Sequence, residues 1–307
     1  MKIWIDESTL KENHIAYLKE HLKDHDISTE PSDMKDAEVA VLMPGFIDEA
    51  FISQMPSLKF VKCLTAGYDR ADLSVLKKRN IQFAYAKDVF SIQIAEDVIS
   101  KILYFNRRLH DYDHLMQKHT WEFKVVTHEL YHSTIGIVGA GSIGHEIAKR
   151  LKAFECEILG YRRTPVKDAC FDHMYHDHKG LEHLLSHSDY VIIALPLNDH
   201  TKHFISDREF AMMKKTSLVI NIARGEIIDQ EALIKALNQG LIRGAALDVT
   251  TPEPLPSNNS LWDAKNIFIT PHQASSSPFM HQRLIDEVLD TLKHYIAKEP
   301  LDNLVEL

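Results

Sequence analysis

The stretch TIGIVGAGSIGHEIAKRL, residues 134–151, decides the fold. A short β-rich run, Thr134–Val138, passes straight into Gly139-Ala140-Gly141 and then into a helix that opens at Ser142. Over 142–153, Ile143, Ile147, Ala148 and Leu151 share one face, the spacing of a helix laid on a sheet. A lone G-x-G-x-x-G also occurs in ordinary turns, but this one has a strand before it and a helix after it. Gly139 permits the tight turn, Gly141 lets a pyrophosphate approach the backbone, and Gly144 lets helix and strand pack closely. The first-turn amides, those of Ser142 and Ile143 included, and the helix dipole then face the phosphates. With a further strand at 156–160 the βαβ unit is complete, and it reads as a dinucleotide site.

That strand continues into EILGYRRTP (157–165). An acidic residue at its tip would accept bonds from both ribose hydroxyls and repel a 2′-phosphate. Here the tip is Tyr161-Arg162-Arg163-Thr164. Arginines offer forked donors and positive charge to a phosphate. The residues therefore point to NADP(H) as the preferred cofactor, with NAD(H) as the other option. The plainer alternative is that the arginines are solvated and that Asp168 or a backbone group meets the ribose.

Outward from this unit, β-rich runs alternate with helical patterns along the whole chain, the pattern of parallel α/β architecture. Before it come Lys2–Ile5, a helix near Thr9–Lys23, strands at Val39–Leu42 and Lys59–Leu64, and a long apolar helix over Ile92–Leu109. After it come strands at 189–194, 217–222, 243–249 and 266–270, and an amphipathic helix over Ser277–Lys298. Its apolar side carries Leu284, Ile285, Val288, Leu289, Leu292 and Ile296. At 307 residues two domains are expected. The reading is a doubly wound α/β protein: residues 1–97 plus 276–307 as a substrate domain, and 98–275 as the dinucleotide-binding domain. The active site is expected in the cleft between two Rossmann-like sheets.

Composition narrows the function classes. A 45% apolar, 26% charged chain is ordinary for a globular protein, and a net charge of −9 leaves no basic field for a nucleic acid. The N-terminus MKIWIDES lacks the basic and apolar regions of a signal peptide, and no apolar run approaches a membrane span. Cys63, Cys156 and Cys170 have no metal or redox spacing, and Cys63 and Cys156 sit inside apolar strand-like runs, so buried thiols in a reducing, cytoplasmic setting are expected. In that setting the sequon at Asn258 carries no meaning. The 19 histidines include a cluster at His173, His176, His178, His183 and His187. Its spacing matches no closed zinc pattern, so it reads as a solvated loop followed by a polar helix face, and no metal is expected. His110/His114 and His128/His132 are i, i+4 pairs that would sit adjacent on helices; without the glutamate of a zinc protease they read as surface residues.

In doubly wound sheets ligands lie beyond the carboxyl ends of the strands. Strand 217–222 exits into Ala223-Arg224-Gly225, strand 243–249 through Asp248 towards Glu253, and strand 266–270 into Pro271-His272. An arginine, a carboxylate and a histidine thus meet the edge that carries the glycine loop. Each has a plain alternative: Arg224 as structural, Glu253 as a solvated residue of the turn PEPLP, His272 as one histidine among many.

The segments LVINIARGEIID, ALDVTTPEP and ITPHQAS resemble the signature of the D-isomer-specific 2-hydroxyacid dehydrogenases, in that family's order. LPLNDHTKHFI (195–205) and SLKFVKCLTAGYDRADL (57–73) resemble other segments of it. The resemblance spans most of the chain and implies two α/β domains and a nicotinamide cofactor. It implies that Arg224 binds a 2-oxo acid by a forked contact and polarises its carbonyl. His272 would give a proton to the carbonyl oxygen, with Glu253 holding the imidazole in its protonated form. Leu195, Pro196, Thr201, Ile222, Ala223 and Asp248 would join the cofactor contacts, Asp248 near the nicotinamide amide. Thr65, Ala66 and Gly67 would offer backbone amides to the substrate carboxylate. The arginines depart from the NAD-using members, and the length leaves no room for the regulatory domain of many phosphoglycerate dehydrogenases. The expected activity is NADPH-dependent reduction of a small 2-oxo acid such as glyoxylate or hydroxypyruvate, by a homodimer. The alternatives are a non-catalytic nucleotide sensor or scaffold, as in the family's corepressor branch, and NAD-linked oxidation of a 2-hydroxy acid.

Overall fold

The computed structural model describes residues 1–7 and 10–307. In chain order it begins β1 (Lys2–Ile5), α1 (Glu12–His21), β2 (Asp26–Ser28), β3 (Val39–Leu42), α2 (Glu49–Ile52), β4 (Phe60–Cys63), α3 (Leu73–Lys78) and β5 (Gln82–Ala84). The start of the first helix expected at Thr9 lies outside the described residues. Two helices follow, α4 (Ser91–Asn106) and α5 (Leu109–Gln117). Next come β6 (Thr134–Val138), α6 (Ser142–Leu151), β7 (Glu157–Tyr161), β8 (His173–Tyr175), α7 (His178–His187) and β9 (Tyr190–Ile193). The chain ends with α8 (Asp207–Met212), β10 (Leu218–Asn221), α9 (Gln230–Asn238), β11 (Gly244–Leu247), β12 (Ile267–Ile269) and α10 (Met280–Ala297).

Two compact units divide these elements: Met1–Phe90 with Ser277–Leu307, and Ser91–Ser276. The boundary expected at 97/98 falls inside α4 and is corrected to 90/91. The helix runs unbroken from Ser91 and packs along α6, so it belongs whole to the second unit.

The first unit holds a five-stranded parallel sheet in the order β2-β1-β3-β4-β5. Its central strands β3 and β4 are buried throughout because both faces are covered, and all their residues but Lys62 are apolar. One face packs on Leu284, Ile285, Val288, Leu289 and Leu292 of α10, the apolar side read from the sequence. Ile296, also expected on that side, is only partly buried at its margin. A polar knot fastens this unit. The fully buried Lys62 of β4 donates to the Tyr85 carbonyl and to Glu287 of α10, each at 2.7 Å. Asn303 donates to the same two acceptors at 3.1 and 2.8 Å.

The second unit holds a seven-stranded parallel sheet in the order β12-β11-β10-β9-β6-β7-β8. From β6 the chain winds outward to β7 and β8, then returns to β9 on the other side of β6. The switch point therefore lies between β6 and β9, where such sheets bind ligands at their carboxyl edge. Two expectations change here. Residues 173–175, read as loop, form β8, since Leu159, Gly160 and Tyr161 of β7 give His173, Met174 and Tyr175 a strand to pair with. His128 and His132 lie outside any helix, whereas His110 and His114 do share α5. Among the described residues no helix is long and apolar enough to cross a membrane.

Candidate active site

At the exit of β6 the three glycines have separate physical reasons. Gly139 has φ +111°, and a Cβ there would lie 2.5 Å from the carbonyl of Ala194 at the exit of β9. A Cβ on Gly144 would lie 2.6 Å from the Gly139 carbonyl oxygen, so the first turn of α6 sits too close for any side chain. Gly141 faces open space, with nothing within 4 Å of its Cβ position. An exposed backbone in front of a helix N-terminus is what a pyrophosphate needs, so the loop fits a dinucleotide. The loop is anchored from behind, because the amides of Gly139 and Ala140 both donate to the Tyr161 carbonyl, at 2.8 and 3.0 Å. Ser142 is half-buried and its hydroxyl lies 3.0 Å from that of Ser91. Ile143, expected on the buried face of α6, is only half-buried; the buried residues there are Gly144, Ile147, Ala148 and Leu151. One residue into the helix, Ile143 sits at the rim of the loop rather than over the sheet.

Beyond β7, Arg162 Nη1 donates to the Ala140 carbonyl at 3.3 Å. That contact uses one of the five guanidinium donors and leaves the rest free. Arg163 and Thr164 are exposed. Asp168, the alternative ribose acceptor, is turned towards α6: one oxygen lies 2.7 Å from His145 Nδ1 and the other accepts from the Cys170 amide at 2.9 Å. At the exit of β9, Leu195 is half-buried and Pro196 exposed, and the Thr201 hydroxyl closes their loop by donating to the Pro196 carbonyl at 2.6 Å.

At the other end of the sheet, β10 delivers Ile222 and Ala223, both buried, and then Arg224, half-buried, with Nη1 donating to the Ala223 carbonyl at 2.7 Å. Asn221, the last residue of β10, shapes this turn. Its amide donates to the Arg224 carbonyl at 2.9 Å and accepts from the Ala223 amide at 3.0 Å. Gly225 must be glycine, since a Cβ would fall 2.1 Å from the Thr250 carbonyl carbon.

His272 and Glu253 meet as the sequence suggests. Glu253 Oε2 lies 2.8 Å from His272 Nδ1, and Oε1 accepts from the Thr250 amide at 3.1 Å. With Nδ1 engaged, Nε2 is the ring nitrogen left for a substrate. The side chain of His272 is 46% exposed, so solvent and small ligands reach it. Its backbone is left-handed, φ +54°, a conformation a non-glycine residue keeps only when its surroundings hold it.

What holds it is Asp248, a residue 2% exposed whose carboxylate is bonded by the protein around it. It accepts from the Thr270 hydroxyl at 2.6 Å and from the amides of Gln273 and Ala274, each at 2.9 Å. Its carbonyl accepts the His272 amide at 2.8 Å. Beneath it lies the buried Lys101 of α4, 3.9 Å from Asp248 and paired with Asp97. Burial pushes the Asp97 carboxyl up, against the pull of Lys101. Asp97, Lys101, Asn221 and Thr270 were missed by motif reading. The one signal was a lysine inside the apolar helix ISKIL.

Thr65, Ala66 and Gly67 leave β4 in the first unit. Thr65 spans the turn, its hydroxyl donating to the Gly67 carbonyl at 2.7 Å, and all three residues are half-buried.

Residues 99–274 match the model of the D-isomer specific 2-hydroxyacid dehydrogenase, NAD binding domain. The chain is similar to a glyoxylate reductase of Thermococcus gammatolerans, 35% identical over 293 residues, 90% of this chain and 87% of that one. A glyoxylate/hydroxypyruvate reductase B of Serratia proteamaculans is 32% identical over 84% of this chain and 81% of its own. The fold matches a D-isomer specific 2-hydroxyacid dehydrogenase of Xanthobacter autotrophicus solved with NADPH and MES, with TM-score 0.84, 23% identity, and 99% and 97% of the two chains covered. The chain thus belongs to the D-isomer-specific 2-hydroxyacid dehydrogenases, nicotinamide-dependent oxidoreductases that act on the CH–OH group of 2-hydroxy acids.

Proposed function

We propose that the protein reduces a small 2-oxo acid, glyoxylate or hydroxypyruvate in the first instance, with NADPH as its preferred reductant. The observation that carries this reading is the Glu253–His272 pair at the sheet edge that also presents Arg224 and the glycine loop. Bound nicotinamide supplies the hydride. Arg224 holds the carboxylate and carbonyl of the substrate in its fork, drawing electron density from the carbonyl carbon. His272 Nε2 delivers the proton to the carbonyl oxygen as it gains charge, while Glu253 fixes the ring by Nδ1. Thr65, Ala66 and Gly67 are the proposed carboxylate amides, an assignment resting on that turn alone. The same reading makes Ser91–Ser276 the cofactor domain and the other unit the substrate domain.

The preference for NADPH rests on Arg162, Arg163 and Thr164 at the tip of β7, and on Asp168 being engaged by His145 and Cys170 instead of standing free for a ribose. Gly139, Gly141, Ser142, Ile143 and Gly144 are assigned to the pyrophosphate, and Leu195, Pro196, Thr201, Ile222, Ala223 and Asp248 to the remaining cofactor contacts, Asp248 near the nicotinamide amide. A homodimer is supported by an apolar segment left uncovered in the single chain, with Trp121, Phe123, Val125 and Met116 all exposed. The free, buried Cys63 and Cys156 support a reducing, cytoplasmic setting.

A panel of 2-oxo acids assayed with NADPH and NADH tests the proposal. Turnover of glyoxylate or hydroxypyruvate is expected with NADPH and much weaker with NADH. Equal rates would remove the argument from the arginines, and no turnover of any 2-oxo acid would remove the proposal.

A further inference from the structure

The loop after β7 and the first turn of α6 bring together three side chains that the proposed reaction does not use. His145 follows Gly144 on α6, and its Nδ1 lies 2.7 Å from Asp168 Oδ2. Cys170 stands two residues further along the loop, with its amide on Asp168 Oδ1. One donor atom from each of His145, Asp168 and Cys170 lies within 4.8 Å of the other two, and all three residues are half-buried. Cys170 is also the cysteine that is not buried, so its sulfur is reachable where those of Cys63 and Cys156 are not.

Imidazole nitrogen, carboxylate oxygen and thiolate sulfur together suit a borderline-soft divalent ion and not magnesium or calcium, which take oxygen. Zinc bonds of about 2.0–2.3 Å in a tetrahedron set donors roughly 3.3–3.7 Å apart. The three donors lie within 4.8 Å of one another, and the His145–Asp168 pair at 2.7 Å has only to part by about 1 Å or less to reach that spacing. The second Asp168 oxygen, held by the Cys170 amide, fixes the carboxylate from outside as partners of metal ligands do. We propose that His145, Asp168 and Cys170 form a site for a divalent transition metal, zinc first among them, with water in the fourth position. Metal-free, burial and then the Asp168 charge push the Cys170 thiol up, so ion binding displaces a proton from it. An ion here would tie the loop bearing Arg163 and Thr164 to the helix that follows the glycine loop. The ligands stand at 145, 168 and 170, too scattered for any spacing rule, and none comes from the histidine-rich stretch 173–187.

Cobalt(II) titrated into the full-length protein under reducing conditions tests the site, because cobalt reports its own ligands. One equivalent should produce a near-ultraviolet thiolate-to-cobalt charge-transfer band together with the visible bands of a tetrahedral ion, and zinc should erase both. Cys170→Ser should abolish the charge-transfer band. His145→Gln should weaken binding by at least the roughly 10–100-fold that loss of an outer partner costs. Far-ultraviolet circular dichroism of the metal-free variants, matching wild type, establishes that folding is intact. Absence of the band in the wild type would overturn the proposal, and so would a band that survives Cys170→Ser. Cobalt bound through surface histidines alone gives no thiolate band and counts as the same negative.

Discussion

The two ends of one sheet edge are built on different physical terms. Where β6 and β7 finish, the surface is backbone: glycines whose missing side chains leave amides exposed, anchored from behind by the Tyr161 carbonyl. Where β10, β11 and β12 finish, it is side chains: Arg224, Glu253 and His272, each propped by a neighbour. The first end needs shape and can be made from one local motif. The second needs groups placed to tenths of an ångström, and takes them from three strands and a buried carboxylate. The end proposed to bind and the end proposed to react should therefore fail differently.

The largest expected effect is at the reacting end. His272→Ala should lower kcat about 10²–10⁴-fold while cofactor affinity, followed by quenching of protein fluorescence, stays as it was. A loss of affinity as large as the loss of turnover would erase the division between the ends. Next comes Asp248→Asn, which replaces one acceptor oxygen by an amide NH2 donor facing the donors of Thr270, Gln273 or Ala274. It should cost about 1–3 kcal/mol of stability in urea unfolding and lower kcat without touching the cofactor loop. Full activity in that variant would mean that the His272 turn holds itself.

At the binding end, Gly139→Ala meets both a φ of +111° and the Ala194 carbonyl, and should cost about 1–3 kcal/mol. Gly141→Ala, with open space around it, should leave the thermal midpoint unchanged and weaken dinucleotide binding. The pair separates folding from binding within three residues, and equal midpoint losses would contradict it. Smallest in free energy, Arg162→Glu with Arg163→Glu should raise the KM for NADPH roughly tenfold, about 1.4 kcal/mol, with kcat nearly unchanged. An unchanged KM would return the arginines to the solvated surface.

The binding end was legible because its chemistry is local. A strand, three glycines and a helix within eighteen residues carry their own context. The reacting end was legible through its three strand exits, since sheet topology sends them to a common edge. Asp248 shows where such reading stops. The resemblance put it near the nicotinamide amide, but that it also holds the His272 turn depends on Thr270, Gln273 and Ala274, some twenty-odd residues away. Lys101 and Asp97 were hidden for the same reason, being charges that make sense only beside a partner from another segment. The boundary was read at 97/98 instead of 90/91 because apolar periodicity marks a helix without saying which sheet it serves.

The knot of Lys62, Glu287 and Asn303 has a consequence for the order in which the molecule is made. It joins a strand near the start of the chain to residues near its end, and the face of β1, β3 and β4 is covered by α10. The second unit is continuous, Ser91–Ser276, and lies wholly between the two pieces of the first. On the ribosome, the first ninety residues emerge without the helix that covers them. At about 5–20 residues per second they wait roughly 10–40 s for it. The nucleotide-binding unit is therefore the first that can finish folding, and α10, made after it, completes the unit that started first.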